Sequence, residues 1–330
     1  MTRGLRVSAT AALALVLSCR CARSVRRHVG AAVRGDPVAA TSPDDPGAAP
    51  DGPPTLGGCP VYPADDLWNR DVSGDPVDPR SAVYIHNIAA HGPMALRVDF
   101  GPSSRHGIPY RVVREGTARV PVTFDECADE SDPGPYPIPL DTPIEHGHDG
   151  HVLVVEQGTC RLYELYHARR RGDAWVAGTG AVFNLREGLR RPRGWTSAEQ
   201  GGMAILPGLA RYPELARGAI RHALRVTFGH TQAAWVAPAN HYGDGNDRDA
   251  PPMGLRLRLR GDFDVTRFTG QSRVIAEALK RYGLVVADTG TNWHITGAPD
   301  PRWDLDDLDQ LGDVPGGAFE VVASGDIQRR

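Results

Sequence analysis

The sequence predicts a mainly β fold, a β-sandwich or jelly-roll-like domain with a few short peripheral helices. Short apolar runs bounded by Gly, Pro and Asp recur along the chain, as expected of many short strands. Glycine (38) and proline (28) are frequent among the 330 residues, which favours turns over long helices. Hydrophobic residues make up 41% of the chain, so enough apolar material exists for a sizeable core.

The first predicted element is a short helix over Pro79 to Ala90, with a proline near its start and apolar positions along one face. Eight β-like runs follow, and these are Ile108–Arg114, Arg119–Phe124, His151–Glu156, Arg161–His167, Trp175–Asn184, Ala223–Phe228, Ala233–Ala237 and Leu255–Leu259. In the last run leucine alternates with arginine, which is typical of a half-exposed strand. We expect its basic face to be solvated or to line a groove for an acidic polymer.

The later elements are two further helices and two strands. Gln271 to Tyr282 places its apolar residues on one stripe, and Gly283 stands where a C-terminal helix cap is expected. The runs Leu284–Asp288 and Asn292–Thr296 predict strands, and Asp304–Leu311 predicts a short final helix. Few helices among many strands again indicate a mainly β domain.

Residues 1–29 are predicted to be an export signal. Arg3 and Arg6 give a positively charged start, and the uncharged run Val7 to Leu17 is too short to span a membrane comfortably. The residues around Cys19 loosely resemble a bacterial lipobox, so a lipid anchor at Cys19, simple secretion and an uncleaved anchor stay open. The expected location is secreted or anchored to the cell envelope, with no transmembrane span in the mature chain.

The rest of the chain divides into a linker, one domain and a tail. Residues 30–58 are rich in Ala, Pro, Gly and Asp without apolar periodicity, which predicts a disordered linker. Residues 59–323 contain no second break of this kind and predict a single globular β-rich domain. Residues 324–330 are expected to form a tail.

Three cysteines remain after the predicted signal, in a compartment that permits disulfides. Pairing Cys59 with Cys160 would close a loop of about 100 residues, worth roughly 4 kcal/mol in the chain-entropy model. Cys127 would then be free, and burial as a small apolar side chain explains it without a nucleophilic role.

The densest acidic segment contains Asp129, Glu130 and Asp132, followed by four prolines spaced two apart. The prolines stiffen this loop, which suits carboxylates held in fixed geometry. Two carboxyl groups flanking a glycosidic bond can act as acid and base or as acid and nucleophile. A loop that binds structural calcium and a plain solvated turn are the alternatives.

A second polar segment places His146, His148 and His151 within six residues, beside Glu145 and Asp149. This density is typical of zinc and similar metals. The segment does not match the HxHxDH motif of metallo-β-lactamase-fold hydrolases, however, because Asp149 stands one position before the place of the motif's aspartate. His151, which precedes an apolar strand, is a candidate general base or substrate donor; a half-buried structural histidine is the alternative.

Glu164 and His241 are two further candidate site residues. Glu164 lies within an otherwise apolar strand, where a charge is costly unless it is paired or faces a cleft. His241 follows the apolar run that ends at Ala237. Each residue is expected either at an edge facing water or in a cleft.

Aromatic side chains in polar surroundings are typical of a carbohydrate groove, because indole faces stack on sugar rings. Core packing is the alternative for any one tryptophan. The predicted substrate-binding residues are Trp68, Tyr136, Trp195, Trp293, Arg302 and Trp303.

Net charge and missing motifs exclude several classes. The formal net charge is −3, so composition gives no support to a nucleic-acid partner. The sequence has no P-loop, no GxGxxG opening a βαβ unit, no GxSxG elbow and no HExxH. No cofactor is expected apart from the structural calcium considered above.

Between Cys59 and about Val322 the chain resembles an uncharacterised family of secreted bacterial and fungal proteins, often joined to carbohydrate-binding domains. The resemblance rests on Trp68-Asn69, His106–Tyr110, Ala128–Pro139, His151–Val155, Leu162–Tyr166, Gly194–Ala198, Leu206–Leu209, Pro252–Gly254 and Gly297–Trp303. The family pattern lacks His146 and His148, which weakens the zinc hypothesis. It implies work on a glycan.

The combined prediction is an exported protein that cleaves or binds a polysaccharide. In a glycoside hydrolase, the acidic loop would supply acid and nucleophile or base, with His151 and His241 positioning substrate. In a polysaccharide lyase, one of these histidines would abstract a proton, while the arginine-faced strand and Arg302 would neutralise a uronate. A non-catalytic glycan-binding or wall-binding lipoprotein is the third possibility.

Overall fold

The structure, a computed structural model, describes residues 52–188 and 191–330. The predicted export signal, including Cys19, and residues 30–51 of the predicted linker lie outside the described residues. Strands make up 27% and helices 16% of the described residues, which confirms the mainly β, sandwich-like prediction. Among the described residues, no helix is long and apolar enough to cross a membrane.

The helices are short and lie where the sequence patterns place them, with one addition. They are α1 (Ser81–Ala90), α2 (Tyr212–Leu215), α3 (Gly270–Arg281) and α4 (Leu305–Leu308). Gly283 follows α3 with a φ of +74° and donates its N–H to Ala278 O, so the expected C-terminal cap is present. The α2 helix was not predicted, since its four residues carry no periodic signal.

The strands are short and numerous. In chain order they are β1 (Thr55–Leu56), β2 (Cys59–Pro60), β3 (Arg97–Asp99), β4 (Tyr110–Val113), β5 (Val122–Phe124), β6 (Val152–Glu156), β7 (Arg161–Tyr166), β8 (Arg169–Arg171), β9 (Ala174–Ala177), β10 (Thr179–Asn184), β11 (Leu224–Phe228), β12 (Ala234–Trp235), β13 (Arg256–Leu259), β14 (Leu284–Thr289), β15 (His294–Thr296), β16 (Phe319–Val321) and β17 (Gln328–Arg329). Every predicted run contains a strand. Residues assigned to the linker form β1, and β17 lies in the predicted tail and pairs with β12.

One predicted strand, Trp175–Asn184, is divided at Gly178 into β9 and β10, which belong to different sheets. Gly178 donates its N–H to Tyr166 O at 2.8 Å, and a Cβ at this position would lie 2.8 Å from Glu126 Oε1. The small residue therefore lets the chain pass close to β7 while it changes sheet.

Two large sheets share one hydrophobic core. The six-stranded sheet has the order β16-β13-β14-β11-β15-β3 and the four-stranded sheet the order β10-β7-β6-β4. Because side chains alternate along a strand, Leu153 and Val155 of β6 enter this core, whereas Val152 and Val154 enter a second core. That second core lies against the three-stranded sheet β5-β9-β8. The four-stranded sheet is thus covered on both faces.

The arginine face of β13 is buried, so the expectation that it is solvated is wrong for Arg256 and Arg258. Arg256 Nη1 donates to Tyr282 O at 2.6 Å, and Arg258 Nε donates to Glu320 Oε1 at 2.8 Å. Each guanidinium also donates to a backbone carbonyl of residues 67–72. These arginines tie the N-terminal part of the domain to the six-stranded sheet and offer no basic groove.

The predicted Cys59–Cys160 disulfide is present and joins residues 101 positions apart. Cys127 is also disulfide-bonded, so the expectation of a free thiol is wrong.

Candidate active site

The bridging segment, residues 194–206 between β10 and β11, is the feature around which the candidate residues gather. Glu130, His151, Glu164 and His241 each form a hydrogen bond with its backbone. Residues far apart in the sequence are therefore brought to one region of the fold.

The acidic loop is anchored by two of its three carboxylates. Glu130 Oε2 accepts the N–H of Thr196 at 2.9 Å. Asp132 accepts a backbone N–H of β10 at 2.8 Å and forms an ion pair with Arg191. Asp129 is exposed. Two of the predicted catalytic carboxylates thus hold the loop against its neighbours, and the third faces solvent.

His151 is buried between an acid and a carbonyl. Its Nδ1 lies 2.5 Å from Glu145 Oε2 and its Nε2 lies 3.0 Å from Ala198 O. Burial disfavours the charged ring, but the Glu145 carboxylate outweighs burial and raises the pKa of His151 to about 9. A cationic imidazole with both nitrogens engaged has no lone pair with which to act as the predicted general base.

Glu164 reaches across from β7 to hold the end of the bridging segment. Both of its oxygens accept the N–H of Ile205 at 3.0 Å, and Oε1 also accepts the N–H of Leu206 at 3.0 Å. The side chain is fully buried, and this burial raises its pKa to about 7 against the opposing effect of the backbone N–H groups. The predicted cleft position is an internal anchor.

Glu199, within the bridging segment, forms a buried pair with Arg225 of β11. Arg225 Nε donates to Glu199 Oε2 at 3.0 Å, and Glu199 Oε1 is buried without a hydrogen-bond partner among the described residues. Burial raises the pKa of Glu199 to about 8, with nearby Asp288 and Glu164 adding to the effect and Arg225 opposing it. This environment favours the protonated carboxyl.

Asp288, near the end of β14, connects this interior to the surface. Its side chain accepts the N–H of Gln200 at 3.4 Å, and the residue is partly exposed. Burial raises its pKa to about 6, Arg225 opposes the shift, and the charge of Asp149 adds to it. Asp149 is exposed in the loop before β6 of the four-stranded sheet, whereas Asp288 lies on β14 of the six-stranded sheet. The two carboxyl groups therefore come from different sheets.

Tyr166, at the end of β7, lies within the electrostatic range of both acids. Burial raises the pKa of its hydroxyl, with the charges of Asp149, Glu126 and Asp288 contributing next. Tyr166 and Asp288 are partly exposed and Asp149 is exposed, and we call the region of these three residues the mouth of the site. The Tyr166 phenol remains a neutral hydrogen-bond donor at neutral pH.

We name this set of buried and partly buried groups the acid cluster, and its members are Glu145, Glu164, Glu199, Asp288, His151 and Arg225. Four carboxyl groups meet only two cations, and desolvation penalises any excess charge. A proton on Glu199 and partial protonation of Glu164 reduce the excess negative charge at neutral pH, in agreement with the raised pKa values of these two groups. The cluster thus holds a proton on Glu199 at neutral pH.

Imidazole rings border the mouth of the site. His148 and His167 stack with centroids 5.5 Å apart, and His167 lies 5.9 Å from Tyr166. His146 is exposed. Within the ranges that the structure describes, no group of three or more His, Cys, Asp or Glu side chains is arranged to hold a metal ion.

His241 also forms a hydrogen bond with the bridging segment. Its Nδ1 is 2.8 Å from Gln200 O, and its ring stacks on Tyr242 with centroids 4.0 Å apart. Burial lowers its pKa, so the ring is neutral at neutral pH. With Nδ1–H donating to the carbonyl, Nε2 keeps its lone pair.

Most of the aromatic residues predicted to bind sugar lie in the core. Four are at most 3% exposed and present no ring face to a ligand, and these are Trp68, Tyr136, Trp293 and Trp303. Trp195 is partly exposed, with the Arg191 guanidinium 5.7 Å from its ring. Arg302 pairs with Asp300 at 2.8 Å and lies over Tyr212.

Sequence reasoning missed Glu199, Arg225 and Asp288 as site residues. Asp288 closes the predicted strand Leu284–Asp288, and Arg225 is a charge inside the predicted strand Ala223–Phe228, the same signal that singled out Glu164. Glu199 lies in a loop and carries no such signal.

Comparison with known proteins gives no match to any family model, curated protein or solved structure. The predicted resemblance to secreted bacterial and fungal proteins stays a prediction.

Proposed function

We propose that this protein is an exported enzyme that hydrolyses a polysaccharide with two carboxyl groups at the mouth of the site. The observation that carries the proposal is Asp288, whose partly exposed carboxyl has a pKa raised to about 6 and faces the charge of Asp149. Glycoside hydrolysis uses two carboxyl groups, and the one that acts as general acid has a raised pKa.

In this mechanism Asp288 is the general acid and donates its proton to the glycosidic oxygen as the bond to the anomeric carbon breaks. Asp149 is the carboxylate that attacks the anomeric carbon or takes a proton from the attacking water. Tyr166 donates a hydrogen bond to the sugar between them. Burial and the charge of Asp149 disfavour the ionised form of Asp288, so this acid is mainly protonated below about pH 6.

The test is reducing-end release across a broad panel of neutral and acidic polysaccharides. The wild-type protein is expected to release reducing ends from at least one polymer, and Asp288→Asn and Asp149→Asn are each expected to lose at least about 100-fold in rate. Asp173→Asn, at an exposed turn between β8 and β9, is the matched control and should keep full activity. Binding without release on every polymer would replace the enzyme with a glycan-binding or wall-binding protein.

Elimination is a second candidate, favoured by one observation. His241 is neutral with a lone pair on Nε2, as a lyase base requires, whereas His151 is cationic. In this version His241 abstracts the C5 proton next to a uronate carboxylate, a C4–C5 double bond forms, and the C4–O bond breaks so that the preceding sugar leaves with its glycosidic oxygen. Absorbance near 235 nm growing on a uronate polymer, and lost in His241→Gln, would favour elimination over hydrolysis.

Export is supported by the charged and apolar start of the sequence and by the Cys59–Cys160 disulfide. Expression of the full chain in bacteria tests it. A processed chain outside the cytoplasm is the expected result. Labelling by a fatty acid that disappears in Cys19→Ala would identify lipid anchoring, and an unprocessed cytoplasmic chain would contradict export.

A further inference from the structure

A polar cavity of about 380 Å³ lies beside the β12–β17 ladder and is separate from the acid cluster. Its volume is within the usual range of small-molecule sites, about 300–1,000 Å³. Its lining residues are the segments 232–233 and 242–246 together with Arg248, Arg329 and Arg330.

We name this cavity the arginine pocket, and its charge is predominantly positive. Three arginines face one acid, Asp244. Arg329 Nη1 donates to Gln232 Oε1 at 2.7 Å, which fixes the side chain and leaves its other N–H groups for a ligand. The Arg330 guanidinium lies 5.0 Å from the Tyr242 ring and is held there by a cation–π contact. Guanidinium groups fixed in this way suit a planar or tetrahedral anion.

The pocket adjoins the proposed active site through Tyr242. This residue lines the pocket, and its neighbour His241 bonds Gln200 O while Gln200 N bonds Asp288. Two hydrogen bonds and the peptide link from His241 to Tyr242 therefore connect Asp288 with the lining of the arginine pocket. The Asp244 carboxylate can accept a hydrogen bond from a sugar hydroxyl, and Asn246 adds a side-chain amide to the lining.

We propose that the arginine pocket binds the carboxylate or sulfate group of an acidic sugar and so selects an anionic polysaccharide. The inference deepens the proposed function and depends on it for the sugar, whereas anion binding itself depends only on the pocket. The ligand is an oligosaccharide, since the pocket pairs guanidinium groups with an acid and an amide that can bond hydroxyls.

Calorimetric titration of the whole protein tests the inference with three probes. These are galacturonate oligomers, sulfated galactose oligomers and neutral galactose oligomers of equal length. At least one acidic series is expected to bind at least tenfold more tightly than the neutral series, with affinity falling as salt rises. Inorganic sulfate at millimolar concentration should compete.

The double variant Arg248→Gln/Arg330→Gln should bind acidic oligomers at least tenfold more weakly than the wild type and bind neutral oligomers with unchanged affinity. Arg171→Gln, on the exposed strand β8, is the matched control and should change neither. Unchanged thermal unfolding verifies that both proteins fold. Equal binding of neutral and acidic oligomers, or no effect of the double variant, would overturn the inference. Cleavage of neutral polymers without anion binding would overturn this inference alone, while anion binding without any cleavage would overturn only the hydrolase.

Discussion

The acidic loop, residues 128–139, and the acid cluster both concentrate carboxyl groups, but the fold uses them in opposite ways. In the loop, Glu130 and Asp132 accept backbone N–H groups and Asp132 pairs with Arg191, so these charges are compensated where they lie. In the cluster, carboxyls outnumber cations in a desolvated interior, and the pKa of Asp288 rises to about 6.

The difference teaches that carboxylate density along a sequence and acidity at a site are separate properties. Density is local and can be read from neighbouring residues. A raised pKa depends on burial and on charges from other strands, which only the folded chain brings together. The two regions therefore predict different behaviour for otherwise similar aspartates.

The largest expected difference is between Asp288→Asn and Asp129→Asn. Removing the acid at Asp288 is expected to lower the rate of reducing-end release by about 10² to 10⁴-fold, the usual contribution of a positioned general acid. Asp129→Asn, at an exposed site of the loop, should stay within about threefold of wild type. The reverse order of effects would return the catalytic role to the loop.

Within the cluster, His151→Gln is expected to reduce the free energy of unfolding by about 3–5 kcal/mol, because Glu145 is left buried without its cation. The pKa of His151, about 9, lies above its ordinary 6.5, and the pKa of Glu145 lies below its ordinary 4.5. The pair therefore contributes most between about pH 4.5 and 6.5 and loses its contribution as pH rises through about 9.

Urea unfolding at several pH values measures this loss. The difference between wild type and His151→Gln should shrink from pH 6.5 to pH 9.5. The exposed His148→Gln is the control and should stay within about 0.5 kcal/mol of wild type. A difference that is constant over this pH range would contradict a charged pair.

A smaller effect is expected of Glu164→Gln. The amide keeps one oxygen for the backbone N–H groups of Ile205 and Leu206 but turns an N–H₂ group toward them, at a cost of about 1–3 kcal/mol. Chemical unfolding gives the free energy, and hydrogen exchange at Ile205 and Leu206 should accelerate. Unchanged exchange at both amides would show that Glu164 does not anchor the bridging segment.

The smallest effect distinguishes two acids of the loop. Glu130→Gln is expected to cost about 1 kcal/mol, because it weakens a charge-assisted bond to the N–H of Thr196. Asp129→Asn should cost less than about 0.5 kcal/mol, since this side chain is exposed. Equal losses in chemical unfolding would show that anchoring does not separate these residues.

Local patterns predicted the fold well where one element decides its own structure. The apolar stripe and Gly283 placed α3 to within one residue at each end, and short apolar runs bounded by turn residues placed β6 and β7. The division at Gly178 was not predictable, because it depends on the close passage of β7 rather than on local residues.

The candidate site was predictable only in part. His151, Glu164 and His241 were singled out and do meet at one segment, but their protonation and partners depend on tertiary packing. The arginines of β13 show the same limit. Alternation placed them correctly on one face of the strand, but no local pattern indicates their burial, which depends on contacts with other backbone segments.

The most direct test of the account is a ¹³C NMR titration of the aspartate carboxyl groups, comparing wild type with Asp288→Asn. The account predicts one carboxyl resonance that titrates near pH 6, is missing from Asp288→Asn, and shifts to a lower midpoint in Asp149→Asn because the neighbouring charge is gone. A resonance of Asp288 that titrates at its ordinary value of 3.8 would contradict it.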